Sequence, residues 1–192
     1  MIRLALFAAS TLALAWVSRH ALRHPRSHGF SRFLAWVAIV ALLVLNFRGF
    51  RAWFADPFSP RQIASWILLF GSLFLLVSAV ALLKARGHGG GTSEADAAGR
   101  GDEPLYAFER TSALVTTGVY GYVRHPMYAS LLWLAWGVFL KRPTATAAGL
   151  AGAATALLWL TARAEEREDL AFFGDAYREY MERTRRFVPF VF

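Results

Sequence analysis

The run "IASWILLFGSLFLLVSAVALL", Ile63 to Leu83, carries no charged residue. It approaches the ~20 apolar residues that a helix needs to cross a bilayer. Four more runs invite the same reading: Met1–Val17, with Arg3 as its one charge, Phe33–Phe47, Met127–Leu140, and Thr144–Ala162, rich in Ala and Gly. Only "KRP" and its neighbours separate the last two, which is room for a tight turn, so they form a helical hairpin. Hydrophobic residues make up 56% of the chain and charged ones 18%, a charged share below that of soluble domains. A soluble core of this size cannot hide so much apolar surface. The expected fold class is an all-α integral membrane protein with about five transmembrane helices, a C-terminal helical hairpin and a cytoplasmic helical tail. The first run has a signal-peptide-like character, but Trp16 and Arg19 crowd the place where cleavage would occur. A retained helix is expected.

Net charge is +8, and its placement sets the expected orientation. Arg19, Arg23, Arg26 and Arg32 crowd the first connection. The excess of basic residues in cytoplasmic loops puts that connection inside and the N-terminus outside. Five crossings then place the connection before Pro126 and the C-terminal tail in the cytoplasm as well. Because the basic residues flank membrane runs, they suit lipid headgroups and give no reason to expect a nucleic-acid partner. The absence of cysteine excludes disulfides, thiolate metal sites and cysteine nucleophiles.

Residues 85 to 104, "ARGHGGGTSEADAAGRGDEP", lack apolar periodicity and bury too little surface to offset the entropy of ordering. They read as a flexible linker. The expected organisation is three membrane helices over 1–84, a cytoplasmic linker over 85–112, and a cofactor-binding region with two membrane helices and a helical tail over 113–192. His20, His24 and His28 recur every four residues, a metal-ligand spacing on one helix face. Pro25 interrupts that helix and no carboxylate lies nearby in sequence, so a titratable interfacial loop is expected and no metal. In the tail, the helix carrying Glu165 and Glu166 should run through Phe172 and stop at Gly174, with Asp175 capping a second helix from Ala176. Glu168, Asp169 and the cluster from Arg183 to Arg186 read as solvated charges.

The segment "ALVTTGVYGYVRHPMYASLLWL", the helical hairpin, and "EEREDLAFFGDAYREYMERTRRFVPF" together resemble the isoprenylcysteine carboxyl methyltransferase family, which groups with the membrane phospholipid N-methyltransferases. The resemblance covers about Leu114 to Pro189, in matching order and spacing. It implies a site in which the Arg-His-Pro-x-Tyr segment and the later Glu pair enclose S-adenosylmethionine at the cytoplasmic face. Residue by residue, this implies Arg124 and Glu166 as catalytic groups. It also implies cofactor contacts from Leu114, Val115, Gly118, Tyr120, His125, Tyr128, Glu165 and Glu166. Many members carry His two residues before the leucine of "LVT", where this chain has Ser112.

The chemistry of these residue types agrees. Arginine and histidine suit the cofactor's carboxylate through charge-assisted hydrogen bonds, a glutamate suits its ammonium, and Tyr120 or Tyr128 suits the sulfonium by cation–π attraction. Pro126 is tolerated in a first helical turn and sets the angle at which the chain enters the helix. The expected acceptor is lipophilic, with an isoprenylcysteine-type carboxylate or a lipid amine, reaching the site from within the bilayer against the walls of the last two membrane helices. Ala135, Gly137, Gly149, Gly152 and Ala153 supply small residues there. An amine acceptor needs a base, for which His125 or a glutamate is available. A sterol-reductase-like enzyme binding NADPH shares a related layout, but its typical Arg-His-Pro-Asn-Tyr has Met127 here in place of Asn. A non-enzymatic membrane protein would leave two oppositely charged motifs facing one pocket with no ligand.

Overall fold

The computed structural model describes residues 2–23, 28–86 and 114–188. Most of the expected linker, together with Ser112 and His24, lies outside them. Seven α-helices are described: α1 Ile2–Val17, α2 Arg19–Arg23, α3 His28–Asn46, α4 Pro60–Arg86, α5 Pro126–Lys141, α6 Ala145–Phe173 and α7 Asp175–Arg183. Short 3-10 turns occupy Phe47–Trp53 and Gly118–Gly121. The fold class is all-α, with no β-strand among the described residues beyond one isolated bridge.

Three helices are long and apolar enough to cross a membrane: α3, α4 and α6. The expectation of about five spans is therefore met by length in three cases. Helices α1 and α5 have 16 residues each, a rise of about 24 Å against a hydrocarbon layer of ~30 Å. Helix α6, with 29 residues, rises about 43 Å. Its last turns, which carry Glu165 and Glu166, thus project past its apolar part. The helix stops at Gly174, whose φ of 60° suits a residue without a Cβ. Asp175 does not cap α7 through its side chain. It sits in the first turn, where its charge complements the helix dipole, and pairs with Arg178 at 3.2 Å on the surface.

Helix α3 lies along α6, α4 lies along α5, and α1 packs on α3. The seams are built from small residues, which let helix backbones approach closely. Ala35, Ala129, Ala135, Ala147, Ala151 and Ala154 are all fully buried. A Cβ at Gly71 would meet the Trp133 ring at 2.3 Å, and one at Gly137 would meet Leu69 at 3.0 Å. Gly149 and Gly152 have nothing within 4 Å of such a Cβ, so this pair does not pack inside the bundle as Ala135 and Gly137 do.

One end of the bundle is closed by an unexpected buried cation. Lys141 is fully buried, donates to Gln62 Oε1 at 2.9 Å and stands 3.4 Å from the Trp66 ring centroid. The aromatic face and the amide oxygen offset the cost of removing its charge from water. Arg61 donates to the backbone carbonyls of Leu140 and Lys141, which complements the C-terminal end of α5. The opposite end gathers the polar residues expected at the site.

Candidate active site

Pro126 takes the first position of α5, with His125 as its N-cap residue. The missing proline N–H costs nothing there. Just upstream, Gly118 opens a 3-10 turn with φ 62°, and a Cβ on it would meet Leu82 at 2.6 Å. That turn brings Tyr120 under the end of α4. The C-terminal tail then lies alongside the Arg-His-Pro segment as a short parallel bridge between Val123 and Arg185. Arg124 N–H donates to the Arg185 carbonyl at 2.7 Å, His125 N–H to that of Arg186 at 3.1 Å, and Arg185 N–H to that of Tyr122 at 3.1 Å. Residues some sixty positions apart thus form one wall.

At the centre of the polar network is Glu166, whose side chain is 5% exposed. Its Oε1 accepts from Arg124 Nε at 2.9 Å and from Arg186 Nε at 3.1 Å, and its Oε2 accepts from Arg186 Nη2 at 2.6 Å. Both oxygens are therefore engaged by guanidinium groups, one of them bidentate. Arg124 also donates from Nη1 to the carbonyls of Met181 and Thr184. The expected catalytic pair, Arg124 and Glu166, is brought together, but as an internal clamp. Arg186, read from sequence as a solvated charge, completes it. The only signal that pointed to Arg186 was its place in the matched tail segment.

His125 is buried between the two acids, with Nδ1 3.3 Å from Glu165 and Nε2 3.5 Å from Glu166. Among the described residues Nε2 makes no well-aligned hydrogen bond and meets Glu166 as an ion pair. Burial on its own pushes the imidazole down, but the carboxylates of Glu165 and Glu166 outweigh it and raise His125 to about 9. The ring is protonated at neutral pH. It stacks on Tyr128 at 5.6 Å between centroids.

A polar cleft opens beside this network. Of the residues expected at the site, Leu114, Val115, Tyr120, Arg124, His125, Tyr128 and Glu165 line it. Two do not. Glu166 sits behind the wall in its clamp, and Gly118 borders a separate apolar groove. Sequence reasoning missed Asp169, Phe173, Tyr177 and Tyr180, which complete the cleft. Tyr180 Oη donates to the Tyr120 carbonyl at 2.7 Å, tying α7 to the 3-10 turn. Burial first, then the nearby Asp169 carboxylate, hold the Tyr177 hydroxyl well above its ordinary range, so it remains a neutral donor. Glu168 is not simply solvated either. It meets the buried His28 of α3 at 3.0 Å, and one turn away Ser31 Oγ and Thr161 Oγ1 are 2.8 Å apart. These contacts hold α3 against the end of α6 that carries the acids. Arg183, by contrast, is exposed and pairs with Glu179 across one helical turn.

The apolar groove, about 610 Å3 in volume, runs along α4 and reaches Trp133 of α5. It shares its boundary with the cleft. Leu82 borders the groove and Leu83 the cleft, Val119 the groove and Tyr120 the cleft, Val123 the groove and Arg124 the cleft.

Residues 92–179 match the phospholipid methyltransferase family. The Homo sapiens protein-S-isoprenylcysteine O-methyltransferase is 37% identical over 87 residues, 42% of this chain and 29% of that protein. Its Mus musculus and Rattus norvegicus counterparts are 36% identical over the same length. The likeness is to methyltransferases. It falls on the half of the chain that builds the cleft, and the matched stretch spans less than a third of each of these relatives. No solved structure matches.

The donor set of the methyltransferase-like region fits S-adenosylmethionine. A buried, protonated His125 in the cleft wall suits a carboxylate, the negative charge of Glu165 and Asp169 suits an ammonium, and four tyrosines line the same space. The cleft, about 90 Å3 in volume, is open on one side.

Proposed function

We propose that this chain is an integral membrane methyltransferase that uses S-adenosylmethionine to methylate a lipophilic acceptor. The observation that carries the reading is the shared wall between a cleft complementary to a zwitterion and a groove complementary to a hydrocarbon chain. Such a pair positions a charged head and an apolar tail on either side of one turn. The groove lies along α4 rather than between the last two long helices, so an acceptor reaches the site past Phe74, Leu82 and Trp133.

When bound, the cofactor supplies a methyl group already activated by its sulfonium. The chain's part is to hold the two partners in line, which accounts for most of the rate in such a step. His125 would hold the cofactor carboxylate, because it lines the cleft and most of Arg124 is occupied by Glu166 and by backbone carbonyls. Tyr120 and Tyr128 would offer ring faces to the sulfonium. Since His125 is protonated near neutrality, it is not available as a base. An acceptor carboxylate, which needs no base, suits this site better than an amine. The cleft end faces the cytoplasm in this reading, in keeping with the arginines around α2.

Transfer of a labelled methyl group to matched acceptors, with and without an apolar tail, tests the proposal in detergent or vesicles. The tailed carboxylate should be methylated and the tailless one much less at equal concentration. Equal turnover would exclude access from the bilayer. Binding of NADPH without binding of S-adenosylhomocysteine would exclude the methyltransferase reading and favour a reductase.

A further inference from the structure

Where α6 leaves its apolar part, it has two different faces. Leu158, Thr161 and Ala162 are buried, and Thr161 meets Ser31 of α3. Trp159, Arg163 and Arg167 recur every four residues, so they stack along a second stripe, and all three are exposed. The Arg163 guanidinium lies over the Trp159 ring at 4.7 Å, and that of Arg186 comes to 5.9 Å from the same ring.

This stripe has cations without acids. Within reach along the helix, Arg163 has one carboxylate, Glu166, whose two oxygens are taken by Arg124 and Arg186. Arg167 has none, since the positions three and four away hold Arg163, Ala164, Leu170 and Ala171. Its neighbour Glu168 is turned to His28. Among the described residues neither arginine forms an ion pair. Arg178 and Arg183 of α7 differ, because each pairs with an acid one turn away, Asp175 and Glu179. Like charges four residues apart destabilise a helix. The helix dipole does not compensate them, because its effect is confined to the last turn and both arginines lie further from Phe173 than that.

The level of the stripe identifies the missing anion. Trp159 falls in the last turn of the apolar run that ends at Ala162, and Arg163 opens the polar part. An indole at such a boundary belongs to the headgroup layer, where anionic lipids attract basic side chains. Arg163 and Arg167 are about 6 Å apart along the axis, close enough for both to donate to one phosphodiester.

We propose that Trp159, Arg163 and Arg167 form a binding site for the phosphate of an anionic phospholipid on the outer face of α6. The site is separate from the cleft and the groove and does not rest on the methyltransferase reading. Because Arg186 lies against Trp159 and also holds Glu166, a lipid seated there braces the tail that walls the cleft.

Thermal unfolding of the full chain in a neutral detergent tests this, with dioleoylphosphatidylglycerol, dioleoylphosphatidylcholine or inorganic phosphate added. Phosphatidylglycerol should raise wild-type melting at a concentration about tenfold below that at which phosphatidylcholine does. The Arg163→Gln/Arg167→Gln protein should show a preference within about twofold of none. Arg178→Gln/Arg183→Gln, which removes the same charge from α7, should keep the wild-type preference. An α6 variant that retains the preference overturns the proposal. So does an equal loss in the α7 variant, which would mean that net charge alone attracts the lipid. Equal protection by inorganic phosphate overturns it as well, by showing a free-anion site. On the wild type, about 1 M salt shortens electrostatic reach to about 3 Å and should erase the preference, and its survival there counts against the site whatever the variants do.

Discussion

Glu165 and Glu166 are neighbours in sequence and opposites in duty. Glu166 holds two guanidinium groups out of water, and removing one partner of a buried pair costs about 3–5 kcal/mol because the other charge is left uncompensated. Glu166→Gln should therefore lower the melting temperature sharply, and Arg186→Gln should follow it in direction. Glu165→Gln should lower melting less than Glu166→Gln, through loss of its contact with His125 at 3.3 Å, and weaken S-adenosylhomocysteine binding several-fold. Scanning fluorimetry beside calorimetry separates the two, and a stable Glu166→Gln protein would remove the clamp from the account.

The same network makes stability depend on pH. His125, which lies outside the spanning helices, rises from an ordinary 6.5 to about 9 on folding. A raised folded value means its contribution is complete below about pH 6.5 and is lost as pH climbs through about 9. Wild-type melting should fall between about pH 7 and 10 with a component absent from His125→Gln. Parallel curves for the two proteins would show that the imidazole is not charged in the fold.

Among the elements, the α4–α5 seam is the tightest, because Gly71 lets the Trp133 ring rest against the backbone of α4. Gly71→Leu should destabilise the bundle by several kcal/mol through overpacking at a site that cannot give, typically 1–3 kcal/mol and occasionally more. Gly149→Ala has open space around it and should be neutral or gain up to about 1 kcal/mol from helix propensity. Denaturation monitored by tryptophan fluorescence gives both signs. A tolerated Gly71→Leu would mean that α4 and α5 slide or separate easily.

For the whole molecule, three separate contacts gather distant parts of the chain at one end: His28 with Glu168, Arg86 with Thr117, and Arg124 with Glu166. Lys141, Gln62 and Arg61 define the other. Since the chain has no cysteine, single cysteines report sidedness without background. Lys84→Cys and Arg178→Cys should react with a membrane-impermeant maleimide from the same side, and Ala55→Cys from the opposite one. All three are exposed positions. Labelling of Lys84→Cys and Arg178→Cys from opposite sides would separate the two halves of the cleft and defeat the functional proposal.

Helix identity and several helix limits were readable along the chain because they depend on local properties, although α3 begins at a buried His28, five residues before the apolar run and inside the stretch read as a histidine loop. Apolar length marks a helix that lipid can cover, Pro126 fixes the start of α5, and Gly174 ends α6 where its positive φ is required. The motif residues were legible for the same reason, since Arg124, His125 and Glu165 sit at fixed spacings within short segments. Direction was not legible. Successive residues on a helix differ by about 100° in bearing, so Glu165, Glu166, Glu168 and Asp169 meet different partners, and those partners arrive from elsewhere. His28 is 140 positions from Glu168, and Arg124 is 42 from Glu166. Which acid faces the cleft, why Arg186 belongs to it, and how Lys141 is buried at the far end were decided by the packing of α3, α4 and the tail, because a charge acquires its role from the group that shares its desolvated space.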